Sequence, residues 1–313
     1  MFKHLEKIEK QNSIPFKIDS YYKNYNPYLL KNMSELLKRI ISAINNRKKI
    51  VLYSYPDVDC ITSVSMLLLV MKYLNADVEH FITSNIDCNK SLNYDDVLSH
   101  LKFLNPDLIL CIGCGNNSSI EVELCNRMEI DVIIVGNQYF DDTVLNTISI
   151  NPSQKGCEYP FKELSCSGVV FKLIQALSNC YKIKYFYRYV DLAMLGTLSC
   201  GVKLTGENRL ILDAGMKYLK HTNNYGIRAL MKIHDIIDVN IDNLFKLIGT
   251  IKPTMNAVGL IDNARIIIEL FTTSNYFRAE QIAKYLYTEA HKIKNEHIFV
   301  SGKQQLNESY KTL

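Results

Sequence analysis

Three apolar runs punctuate the first half of the chain: IVLYSY from Ile50, DLILCI from Asp107 and DVIIV from Asp131. Near-continuous Val, Ile and Leu over so few residues is the pattern of strands buried on both faces. Between the runs the periodicity becomes helical. TSVSMLLLVMKYL is long enough for a crossover helix, DVEHFI reads as a short strand, and Tyr94 to Leu104 and Ser118 to Met128 read as amphipathic helices. Repeated strand and helix units with short connections predict an α/β fold, a doubly wound and mainly parallel sheet. From Asn151 the texture changes. NPSQKGCEYPFKE is rich in turn residues, and after it the pattern is helical throughout: Gly168–Cys180, Tyr185–Leu198, Glu207–Lys220, Tyr225–His234, Ile241–Ile248, Asp262–Phe271 and Tyr276 to about Phe299. The predicted organisation is a lead-in over 1–48, an α/β core over 49–165, its helical part over 166–274, and a final helix with a polar tail over 275–313.

With 313 residues, 48% of them hydrophobic, the chain can bury a large core. Its longest apolar stretch, Val64 to Met71, falls far short of the roughly 20 residues that cross a bilayer. The opening MFKHLEKIEKQN is charged throughout, which predicts no secretory leader. Nine cysteines, an odd number without framework spacing, suit a reducing cytoplasm. The net charge of +4 is uneven, since residues 1–50 hold eleven Lys and Arg against four Asp and Glu. Such a basic arm suits nucleic acid or an acidic partner. It equally suits a solvated helix face, with RISAINNRKK as a surface helix whose basic end complements its dipole.

The loop YPDVDC after the first run places Asp57 and Asp59 at the carboxyl end of a strand, the edge at which ligands bind in open parallel sheets. Two carboxylates there suggest a metal or phosphate site, whereas the plain reading is a helix N-cap.

Several segments decide the family. NPYLLKNM before the first strand, YPDVDCITS after it, DLILCIGCG, DVIIV, NPSQKGCEYPFKELSCSGVVFK, LTGENR and IKPTMNAVG occur in the order seen in RecJ-type single-strand DNA exonucleases, which the chain resembles from about Asn26 to about Glu296. This resemblance to the DHH phosphoesterase superfamily implies two divalent cations, typically manganese, held by acids and histidines, and a metal-activated water that attacks a phosphodiester. Asp57 and Asp59 match two of the implied ligands. Tyr55 stands where a preceding Asp is expected, and Gly113 replaces the Asp of Asp-Cys-Gly. Gly136, Asn137 and Gln138 replace Asp-His-His, and Cys200 falls where a further Asp belongs. Six positions are thus altered and two kept.

Manganese or magnesium prefers about six oxygen-rich ligands, which two aspartates cannot supply. The expectation is therefore no cofactor, with manganese or magnesium at Asp57 and Asp59 as the alternative. Cys60, Cys114 and Cys200 are expected near the same edge and could bind zinc. The C-x-x-C of Cys111 and Cys114 adds little to that reading, because residues three apart on a strand face opposite ways and both cannot easily reach one ion. Lys203, Arg209 and Asn256 are candidate phosphate or nucleic-acid contacts, Lys203 also reading as a solvated surface lysine.

The resembling enzymes continue past the connecting helix into further domains, so apolar surface on the final helix is expected as a partner interface. The expected function is an inactive RecJ-like core acting as a binding or scaffold module on single-stranded nucleic acid or a protein, without a membrane, as in the RecJ-descended subunit of the eukaryotic replicative helicase. The alternatives are a residual metal-dependent exonuclease or phosphoesterase, and a regulator binding a small ligand or nucleotide in the vacated cleft.

Overall fold

A computed structural model describes residues 25–85, 90–115, 118–138, 147–256 and 258–309. The three apolar runs lie side by side as β1 (Ile50–Ser54), β3 (Leu108–Ile112) and β4 (Asp131–Val135). β2 (Val78–Ile82) lies outside β1 and β5 (Ile148–Ile150) outside β4, giving the order β2-β1-β3-β4-β5 with every pairing parallel. The strand β5 has no counterpart among the predicted strands. It is three residues long, too short to show a period, and its place comes from pairing Ile148 with Ile133 and Ile150 with Val135.

Alternation along each strand separates two cores. Ile50, Leu52, Leu110, Ile112, Ile133 and Val135 face one side, where α1 (Met33–Asn45), α2 (Val58–Tyr73) and the helical second half pack. Val51, Tyr53, Ile109, Cys111, Val132 and Ile134 face the other, covered by the helical stretch 94–104 and by α4 (Ser119–Arg127); the stretch 94–104 is α3 below. The sheet is doubly wound, as its strand composition requires.

The helix α1 differs from the surface helix expected over RISAINNRKK. It begins at Met33, buries Met33, Leu36, Leu37, Ile40, Ala43 and Ile44, and ends before Arg47, so the basic run follows it instead of filling its last turn. Three of the described lysines and arginines nearby are paired: Arg39 with Asp131 at 2.5 Å, Lys48 with Asp107 and Lys49 with Glu79. The remainder of the basic arm, residues 1–24, lies outside the described residues.

After β5 come α5 (Cys166–Tyr181), α6 (Val190–Ser199), α7 (Gly206–Leu219), α8 (Tyr225–Ile233), α9 (Ile241–Ile251), α10 (Leu260–Thr272) and α11 (Tyr276–Ser309). The helix read over Tyr185–Leu198 is divided, since Phe186–Tyr189 forms a 3-10 turn before α6. The final helix extends past Phe299. Its first turns bury Ala279, Ile282, Ala283 and Leu286 and leave Phe277 78% exposed. The rest of the apolar surface expected on it falls on side chains outside the described residues. Among the described residues no helix is long and apolar enough to cross a membrane.

The segments that carry the resemblance meet at a buried ion pair. Lys172 of α5 and Glu207 of α7 lie 2.7 Å apart with both side chains fully buried. The Lys172 ammonium also donates to Tyr25 O at 2.9 Å and to Gln175 Oε1 at 3.1 Å, which uses all three of its protons. Tyr159 donates its hydroxyl to the second oxygen of Glu207. Burial lowers the lysine pKa against the opposing pull of Glu207, and burial beside Glu207 raises that of Tyr159. Around this centre, Asn208 Nδ2 donates to Glu163 O at 2.7 Å, Lys31 Nζ to Lys155 O at 2.8 Å and Asn32 Nδ2 to Ser149 O at 3.1 Å. Lead-in, Pro-rich loop and TGENR turn are thus one cross-braced unit behind the sheet's β5 edge.

Candidate functional site

Connections leave β1 and β3 toward opposite faces, and at that switch point the strand ends open onto a cleft of about 420 Å³. Asp57, Asp59, Lys90, Asn137, Gln138, Cys200 and Lys252 are among the residues that line it.

Both aspartates are committed to the fold. Asp57 is the N-cap of α2, its Oδ1 accepting from Cys60 N at 2.9 Å, while its Oδ2 receives the Lys90 ammonium at 2.7 Å. Asp59, 6% exposed, crosses to another helix: its Oδ1 accepts from Ser167 N at 2.8 Å and its Oδ2 from Cys166 N at 3.0 Å. These are orphan donors of the first turn of α5, where a negative charge is favoured. Burial pushes the Asp59 pKa up to about 6, aided by the charge of Asp57 and opposed by the hydrogen bonds from Ser167 and Cys166.

Lys90 was not among the residues expected here, and it is fixed on three sides. Its carbonyl accepts from Gly115 N at 2.7 Å, its ammonium holds Asp57, and the adjacent Ser91 carbonyl accepts the Tyr55 hydroxyl at 2.6 Å. Burial works against the ammonium, but Cys60 and Asp57 outweigh it, and the pKa is raised. Tyr55 does not enter the cleft. Its ring is buried in the back core, 6.4 Å from Tyr53 edge to face and 5.8 Å from Lys90 Nζ, so it anchors the segment that presents the lysine.

Close packing surrounds the loop glycines. Gly113 has φ +75°, and a Cβ there would stand 2.4 Å from Cys60 Sγ. A Cβ on Gly136 would stand 3.1 Å from Cys114 O. Asn137 and Gln138 reach the cleft, with the Gln138 carbonyl held by Asn151 Nδ2 at 2.6 Å. Cys200 caps the end of α6 on the cleft wall and is exposed, its thiol donating to Thr197 O at 3.4 Å.

The cysteines correct the sequence reading. Cys60 and Cys200 line the cleft as expected, but their neighbour there is Cys166, and Cys114 is buried in the back core. Cys111 and Cys114 do not face opposite ways. The left-handed turn at Gly113 folds Cys114 back, so both thiols share one core, where burial and Cys111 raise the Cys114 pKa. A hydrogen bond with Cys166, then burial, holds Cys60 far above the usual thiol range. Such thiols are poor ligands and nucleophiles. Among the described residues, no three His, Cys, Asp or Glu side chains converge so as to hold a metal ion.

Lys203, Arg209 and Asn256 are not gathered with the cleft residues. Lys203 is exposed and pairs with Glu163 at 3.5 Å, and Arg209 pairs with Asp213 at 2.9 Å on the surface of α7. Asn256 shapes its turn by accepting from Val258 N at 3.2 Å and reaches Tyr285 OH of α11 at 3.3 Å.

The donor set tests the metals that the resemblance implies. All four oxygens of Asp57 and Asp59 already accept hydrogen bonds, one of them from an ammonium. What Asn137 and Gln138 add is neutral. A bridged pair of divalent cations needs several free carboxylates, and the described cleft residues do not fit one.

Strand order and site together define a doubly wound α/β domain with its ligand edge at the strand carboxyl ends. Residues 49–197 match the model of the DHH family, N-terminal domain. Single-stranded-DNA-specific exonuclease RecJ of Bacillus subtilis (strain 168) is 33% identical over 263 residues, an alignment spanning 83% of this chain and 32% of that protein. Exonuclease RecJ bound to manganese superposes with a TM-score of 0.76 at 22% identity, over 85% of this chain and 67% of that one. RecJ in complex with Mn2+ from Thermus thermophilus superposes with a TM-score of 0.72, also at 22% identity, over 85% of this chain and 38% of that one. The chain carries a RecJ-like core of the DHH superfamily. It spans about a third of the length of the Bacillus relative.

Proposed function

We propose that this RecJ-like core binds single-stranded nucleic acid without hydrolysing it. The observation that carries the reading is the commitment of both cleft carboxylates: Asp57 caps α2 and holds Lys90, and Asp59 caps α5. A hydrolytic centre of the kind the family uses needs those oxygens for metal and water. The relatives' printed name, single-stranded-DNA-specific exonuclease, supplies the ligand class. The test incubates the purified chain with end-labelled single-stranded DNA and Mn²⁺ and follows fragments by gel. The expected result is intact strand at every time point, with complex formation that weakens as salt rises. Metal-dependent cleavage abolished by Asp59→Ala would overturn the reading.

A further inference from the structure

We infer that Lys90 is a tethered cation which, with Lys252, makes the cleft a metal-independent site for a phosphate group. The inference deepens the reading above and rests on it. An ammonium has three protons to donate. Among the described residues Lys90 spends one of them, on Asp57 Oδ2 at 2.7 Å, and its side chain remains 28% exposed on the cleft wall. The backbone of the segment is held by the Tyr55 to Ser91 and Gly115 to Lys90 hydrogen bonds and the side chain by its ion pair with Asp57, so less freedom is left to lose on binding.

Lys252, at the end of α9, lines the same cleft, is exposed, and has no acidic partner among the described residues. Among the described cleft residues the negative charge is directed elsewhere: the Asp59 oxygens face the amides of α5, and Asp57 and Lys90 offset each other's charge. These residues still offer the two unspent protons of Lys90, the Lys252 ammonium, and Asn137 and Gln138 on the wall, donors suited to a tetrahedral oxyanion. The volume of about 420 Å³ is in the range of small-ligand sites. A phosphate monoester on a nucleotide and a phosphodiester in a strand share this chemistry.

The experiment titrates the full chain in EDTA with two probes: a fluorescent oligothymidylate, read by anisotropy, and thymidine 5′-monophosphate, read by displacement of that oligonucleotide. Both are expected to bind without metal. Lys90→Gln and Lys252→Gln should each weaken binding about tenfold, the scale of one charge-assisted hydrogen bond. Lys90→Arg should retain most of it, and Lys203→Gln should stay within twofold of wild type. Far-ultraviolet circular dichroism establishes that each variant is folded. Displacement by the monophosphate assigns the site to a strand end or free nucleotide, and binding of the oligonucleotide alone assigns it to the internal diester; either supports a phosphate site. Strand binding unchanged in both glutamine variants overturns the Lys90 assignment and leaves the nucleic-acid reading standing. No strand binding by wild type under any condition overturns both, and binding that appears only with Mn²⁺ overturns the metal-independent site.

Discussion

The helix α5 carries two charged clusters that solve the same problem in opposite ways. Near its middle, Lys172 is fully buried and places its three protons on Glu207, Tyr25 O and Gln175. At its first turn, Asp59 takes two backbone amides, and beyond it Lys90 gives one proton to Asp57 and faces an open cleft. The first arrangement is closed and complete, as a buried charge must be if its desolvation is to be offset. The second retains donors toward solvent. A polar cluster with every valence used holds a fold together, while one with valences left over is suited to a ligand. The Pro-rich loop and the TGENR turn belong to the closed arrangement. Tyr159, Glu207 and Asn208 serve the closed cluster, whose requirements are unchanged by what happens at the cleft.

The largest expected effect lies in the closed cluster. Lys172→Met leaves Glu207 buried without its cation and should cost about 3–5 kcal/mol, read as a shift of the urea midpoint at constant slope. A midpoint close to wild type would mean that the pair is not closed as described.

Next is Gly113→Ala. It combines a left-handed φ with a methyl 2.4 Å from Cys60 Sγ, and should cost about 2–4 kcal/mol. Adding Cys60→Ala should return the steric part and leave the backbone part, so the double variant should be more stable than Gly113→Ala alone. Additive losses would show that the thiol is not the obstacle.

The smallest effect is one of pH. The Asp59 pKa is raised from 3.8 to about 6, so the native state holds a proton over a range in which the unfolded chain has released it. Its contribution is fully present below about pH 4 and is lost as pH rises through about 6. Relative to Asp59→Asn, wild type should therefore lose up to about 3 kcal/mol of advantage between pH 4 and pH 8, in paired denaturation curves. A constant difference would place Asp59 in contact with solvent.

Much of this was legible in the sequence, for identifiable reasons. The strands β1, β3 and β4 are plain in the sequence because both faces of each are buried, so all but Ser54 and Asp131 at strand ends are apolar. Asp57 and Asp59 were placed at the correct edge because the strand preceding them was clear. The strand β5 was not, since three residues leave no room for a pattern. Lys90 sits in DCNKSLN, a polar stretch without period, and its place after the DVEHFI strand was the one available signal. Lys252 gave even less, as a lysine before a proline at a helix end. The two Asp59 bonds join residues more than a hundred positions apart, and nothing local in either segment foretells them. Strand alternation does not relate Cys111 to Cys114, because the strand ends at Ile112 and the left-handed Gly113 intervenes.

The contact between Gly113 and Cys60 bears on how such a chain can change over generations. A side chain at position 113 meets the Cys60 thiol 2.4 Å from where its first carbon must go, so a carboxylate there requires the thiol to turn away or give way to a smaller group. Substitutions at 113 and 60 are therefore coupled, and the effect of the first depends on whether the second has been made.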